Sequence, residues 1–72
     1  LSLSCLSVGV EANKIVFGTI RGVIIIYDMF SHIFRLKKVS NSQIAQVKII
    51  GTSAYILTLD EKFIVLDLTK GE

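Results

Sequence analysis

Apolar residues in this chain fall into short runs separated by polar turns, and residues 14–29 set the pattern. Two apolar runs meet there at Arg21-Gly22, and the second ends in Tyr27-Asp28. Gly22 takes positive φ at no steric cost, so the spacing predicts a hairpin with strands over 15–20 and 23–29. Gly18, inside the first of these strands, predicts the close approach of a neighbouring backbone. Upstream, residues 2–10 alternate, with Leu6, Val8 and Val10 toward one face and Cys5, Ser7 and Gly9 toward the other. Glu11-Ala12-Asn13-Lys14 fits a hairpin loop. Downstream, Phe30-Ser31-His32 turns the chain into a fourth strand over 33–39, whose Arg35, Lys37 and Lys38 protect an exposed sheet edge.

After the polar connector Ser40-Asn41-Ser42-Gln43 come three more strands, over 44–50, 54–59 and 62–68. Ser40 and Gln43 also fit a helix capping box with Ile44 and Val47 behind it. Gly51 stops that segment early, and so short a helix is marginal, so the strand is preferred.

An offset of 39 positions lays the second half of the chain on the first without gaps. Asp67 falls under Asp28, Thr58 under Thr19, Ile64 under Ile25 and Val47 under Val8, while Cys5 lies over Ile44. Every strand falls on a strand, and the Arg21-Gly22 turn lies over Asp60-Glu61. A period near 40 residues with four strands per unit is the signature of a β-propeller blade.

The run from Gly18 to Asp28, GTIRGVIIIYD, resembles the core of a WD-repeat blade. A small residue pair, a turn ending in Gly and an aliphatic strand closing on an aromatic-Asp pair follow in the family's order. Tyr27-Asp28 stands where that family has Trp-Asp, and Leu66-Asp67 is a weaker version. Neither copy has Trp, no Gly-His pair precedes either second strand, and Arg21 replaces the turn Asp that Asp60 supplies in the second copy. The resemblance implies an all-β propeller segment: residues 1–39 as one four-stranded antiparallel meander blade, and 40–72 as three strands of the next. It also implies contacts with other proteins through loops at one rim, here Arg21, Ser40, Asn41, Asp60 and Lys62.

Composition supports a piece of a larger architecture. The 72 residues are 51% hydrophobic with a mean hydropathy of +0.65. Val23-Ile24-Ile25-Ile26-Tyr27 is apolar at five successive positions, so it is expected to be covered on both faces, partly by surface outside these residues. The chain begins on Leu and ends on a Lys70-Gly71-Glu72 turn, and a fragment of a longer propeller is expected. As an isolated peptide it is expected to aggregate or stay unfolded. The single Cys5 excludes an intrachain disulfide, and with the single His32 it cannot furnish a zinc site. No apolar run approaches a membrane span, and the N-terminus lacks the basic region of a signal peptide.

Candidate chemistry is sparse. Gly18-x-x-x-Gly22 leads into a strand and lacks the Lys-Ser/Thr of a phosphate-binding loop. Asp28 and Asp67 read as strand-end caps on neighbouring units, and His32 as a surface turn residue. No catalytic residue, cofactor or metal is expected. The expectation is a non-catalytic protein-protein interaction scaffold in an intracellular assembly, cytoplasmic or nuclear, whose partners are other proteins and the remaining blades. A second reading is a small basic β-barrel that binds nucleic acid through Arg35, Lys37 and Lys38. The net charge of +2 is too small to imply a polyanionic partner by itself.

Overall fold

The structure, a computed structural model, describes residues 2–69. The turn expected at Lys70-Gly71-Glu72 lies outside the described residues, as does Leu1. Seven strands form in sequence order: β1 (Leu3–Gly9), β2 (Lys14–Thr19), β3 (Val23–Asp28), β4 (Phe34–Lys38), β5 (Ile44–Ile50), β6 (Ser53–Thr58) and β7 (Phe63–Asp67). They build two antiparallel meanders, a four-stranded sheet β1-β2-β3-β4 and a three-stranded sheet β5-β6-β7. The segment that also fitted a capping box is strand β5.

The second sheet repeats the wiring of the first. β2 and β6 each end in a buried Thr whose hydroxyl bridges the following turn. Thr19 Oγ1 accepts from Val23 N–H at 3.1 Å, and Thr58 Oγ1 accepts from Lys62 N–H at 3.0 Å. Met29 N–H donates to Asn13 C=O, and Leu68 N–H to Thr52 C=O. Gly22 and Glu61 hold the same left-handed turn position, at φ +76° and +66°. Both sheets carry a bulge at the start of the first strand, between Leu3 and Cys5 and between Ile44 and Gln46.

The bulges correct the ungapped alignment in one place. Leu3 pairs with Thr19 as Ile44 pairs with Thr58, and Leu6 pairs with Phe17 as Val47 pairs with Ile56. Ile44 therefore corresponds to Leu3 and not to Cys5, and Val47 to Leu6 and not to Val8. The cause is the β5–β6 connection, Gly51-Thr52, which is two residues shorter than its counterpart over 10–13. A slip of two residues keeps every side chain on its own face, so the apolar pattern survives it.

The sheets stack with β1 against β5 and β2 also reaching β5. Val16, Ile24 and Ile26 from the first sheet meet Ile44, Val47, Ala54 and Ile56 from the second in one buried cluster. Small residues let the sheets approach: a Cβ on Gly18 would lie 2.6 Å from both Cys5 Sγ and Ile44 Cγ2, and one on Gly9 would overlap Ile49 Cγ2. Hydrogen bonds cross the gap from Ser4 Oγ to Ile44 C=O at 2.6 Å, from Cys5 Sγ to the same carbonyl at 3.8 Å and from Ile49 N–H to Ser7 Oγ at 3.1 Å.

The packing is head-to-tail. The first sheet uses its Cys5/Val16/Ile24 face, whereas the second uses the face that corresponds to Leu6/Phe17/Ile25. One face of each sheet is consequently left open. On the first sheet two complete cross-strand rows are apolar, Leu6-Phe17-Ile25-Leu36 and Val8-Ile15-Tyr27-Phe34. The five apolar positions of β3 are covered on one side only: Ile24 and Ile26 are buried, while Val23, Ile25 and Tyr27 are half-buried on the open face.

Candidate functional site

The turns at one end of the strands come together because each strand reverses at its neighbour's end. Gly22 C=O accepts from the N–H groups of Val39 and Ser40, at 2.9 and 3.2 Å, which ties the β2–β3 turn to the connector leading into β5. The contact is tight, since a Cβ on Gly22 would overlap Ser40 C=O. Leu59 N–H donates to Gln43 C=O at 2.9 Å, bringing the β6–β7 turn to the other end of the same connector.

Within this rim the expected contact residues divide. Arg21, Asn41, Asp60 and Lys62 are exposed. Ser40 is buried, and its hydroxyl accepts from Ser42 N–H at 3.0 Å, so it shapes the connector from inside. Asp60 accepts a hydrogen bond from the Thr58 hydroxyl and lies 3.9 Å from Lys62 Nζ in a loose, solvated ion pair. Arg21 occupies the position corresponding to Asp60, so the same rim carries opposite charges on its two turns.

The opposite end holds Asp28, whose surroundings are more ordered. Its Oδ1 accepts from Phe30 N–H at 2.8 Å and Ser31 N–H at 3.1 Å, and its Oδ2 sits 3.0 Å from Lys14 Nζ. The Ser31 N–H, the Lys14 ammonium and the Phe30 N–H together hold the carboxyl down to about 2. Asp67 makes the corresponding turn, accepting from Thr69 N–H and Thr69 Oγ1 at 2.9 and 2.7 Å. Both carboxylates are occupied in closing strand ends, as the repeat alignment leads one to expect.

His32 stands in the left-handed region at φ +62°, with Nδ1 2.6 Å from Tyr27 Oη, and Tyr27 stacks on Phe34 with centroids 4.6 Å apart. Cys5 packs between Gly18 and Ile44, its thiol 3.8 Å from Ile44 C=O. Among the described residues no group of three His, Cys, Asp or Glu side chains is arranged to hold a metal ion. No helix among them is long and apolar enough to cross a membrane.

The apolar surface for which outside cover is expected around β3 is the open face of the first sheet, where Leu36 and Phe34 are 62% and 61% exposed. In β4 they lie opposite Arg35 and Lys37, while Lys38 shares their face. A surface with no signal in the sequence is a depression of about 290 Å³ on the open face of the second sheet, lined by Gln46, Lys48, Tyr55, Leu57 and Phe63. Comparison of the chain with family models, with curated proteins and with solved structures finds no match in any of the three.

Proposed function

We propose that this chain is a segment of a degenerate WD-repeat-like β-propeller that acts as a non-catalytic protein-protein interaction scaffold in an intracellular multi-protein assembly. The observation that carries the reading is the head-to-tail stacking of two equivalent meanders. Heterologous packing of this kind leaves one unsatisfied face at each end, which further sheets of the same type can cover until a ring closes. The open rows Leu6-Phe17-Ile25-Leu36 and Val8-Ile15-Tyr27-Phe34 are then the seat of a preceding blade. Asp60 bound to Thr58 keeps, in the second copy, part of the polar turn wiring typical of the WD family.

In this reading partner proteins meet the rim formed by Arg21, Asn41, Asp60 and Lys62, with Ser40 holding the connector beneath them. The test is charge reversal at that rim, Arg21→Glu with Lys62→Glu, in the protein that carries this chain. Loss of co-purifying proteins with an unchanged circular dichroism spectrum is expected. Undiminished recovery, or steeply salt-dependent nucleic-acid binding by the chain, would count against the scaffold reading.

A further inference from the structure

β4 is the outermost strand of the first sheet, and the chain on both sides of it is accounted for. It enters from the β3–β4 turn and leaves through the connector bound by Gly22 C=O, on its way to β5 in the other sheet. Sheets that stack on a neighbour cover its faces, so further sheets of the same kind leave the outer edge of β4 bare. The ladder shows which groups that edge offers. Asp28 N–H donates to Ile33 C=O and Val39 N–H to Gly22 C=O, each at 2.9 Å. In the same register Ile26 stands opposite Arg35 and Ile24 opposite Lys37. Hydrogen-bonded and non-bonded pairs alternate along an antiparallel ladder, so residues 33, 35, 37 and 39 bond inward to β3. Phe34, Leu36 and Lys38 therefore turn their N–H and C=O groups outward, along an edge on which no strand of the described residues lies.

Charge indicates what fits this edge. No acidic residue occurs between Asp28 and Asp60, and β4 carries Arg35, Lys37 and Lys38. Neither lysine forms a salt bridge among the described residues. Arg21 adds a cation in the turn that leads to Val23, the residue opposite Lys38. The acids lie on other elements. Asp28 is held by Lys14 at 3.0 Å, and Glu11 is in the β1–β2 loop. Asp60, 3.9 Å from Lys62, belongs to the second sheet with Glu61 and Asp67. Like charges directly opposite destabilise a strand pair and opposite charges stabilise it, so the lysines that repel a basic strand select an acidic one. We propose that the outer edge of β4 docks an extended acidic segment of a partner protein, added antiparallel as a fifth strand. Its backbone bonds to Phe34, Leu36 and Lys38. Its acidic side chains stand opposite Arg35 and Lys37, at the non-hydrogen-bonded positions where facing side chains are closest. A nucleic acid answers the charge but has no alternating amide donors and acceptors to continue the ladder. This surface is distinct from the rim and requires no closed ring, so the proposal goes beyond the scaffold reading and fails separately from it.

The test titrates the protein that carries this chain into a fluorescent peptide of alternating glutamate and valine, read by anisotropy. The peptide is expected to bind, more weakly as salt rises. Methylating its valine backbone nitrogens, which face β4, is expected to weaken binding about tenfold or more. Methylating the glutamate nitrogens, which face away, is expected to leave binding unchanged. A peptide of alternating lysine and valine is expected to bind at least about tenfold less well. Lys37→Glu with Lys38→Glu is expected to weaken binding of the acidic peptide about tenfold at an unchanged circular dichroism spectrum. No binding of the acidic peptide, equal binding of its valine-methylated form, or equal binding by the lysine variant would overturn the proposal. So would tighter binding of a fluorescent oligothymidylate that competes with the peptide, which would assign the edge to nucleic acid.

Discussion

Replacing Gly18 by alanine tests the close approach of the two sheets. Glycine inside a strand is itself unfavourable, so alanine alone would gain roughly 0.5–1 kcal/mol. Here the added methyl would lie 2.6 Å from Cys5 Sγ, 2.6 Å from Ile44 Cγ2 and 2.8 Å from Ile44 Cβ. Cys5 can turn its thiol aside, but Ile44 is fully buried and β-branched, and its Cβ moves only with the backbone of β5. Overpacking of this kind costs about 1–3 kcal/mol and outweighs the backbone gain, leaving a net loss near 1–2 kcal/mol. Urea unfolding followed by far-ultraviolet circular dichroism should show a lower midpoint at unchanged slope. With Ile44→Ala already present, the Cγ2 contact is gone and the added cost of Gly18→Ala should shrink by about 1 kcal/mol. A Gly18→Ala variant as stable as the parent, or a cost indifferent to Ile44→Ala, would refute the packing of β2 against β5.

Other consequences follow from the repeated wiring. Thr19→Val and Thr58→Val each strip a buried acceptor from a turn N–H, and each should cost about 1–3 kcal/mol in the same denaturation experiment. Glu61→Gly should stabilise the chain by about 1 kcal/mol, because Glu61 holds a left-handed conformation at φ +66° where its counterpart is Gly22. Asp28 has its carboxyl lowered from 3.8 to about 2, so it supports the fold fully above the ordinary carboxylate range and progressively less as pH falls toward 2. A carboxyl-detected NMR titration should place its midpoint near 2, and Asp28→Asn should remove that acid-dependent component from thermal melts.

The all-β architecture was legible because period-two alternation and turn residues mark the strands independently of tertiary context. The two-strand hairpin at Arg21-Gly22 and the equivalence of Thr19 with Thr58 and Asp28 with Asp67 come directly from the pattern. The register of β5 did not, because a two-residue change in loop length leaves inward and outward positions unaltered, and alternation alone is blind to it. Ser40 looked like a surface residue of a polar connector. Only the passage of that connector beneath the Gly22 turn buries it, a tertiary fact with no local signal. The need for outside cover was legible from the five successive apolar positions of β3, and Phe34 and Leu36 of β4 extend that open face on the side opposite Arg35 and Lys37.

Nuclear Overhauser contacts between the two sheets measure directly which faces they share. The structure predicts cross-peaks from the Gly18 α-protons to the Ile44 γ2 methyl and from the Gly9 α-protons to the Ile49 γ2 methyl. Leu36 and Phe34 should show none to any residue of β5, β6 or β7. Cross-peaks from Leu6 or Phe17 to Val47 in place of the glycine contacts would put the opposite face of the first sheet inward and contradict the head-to-tail packing.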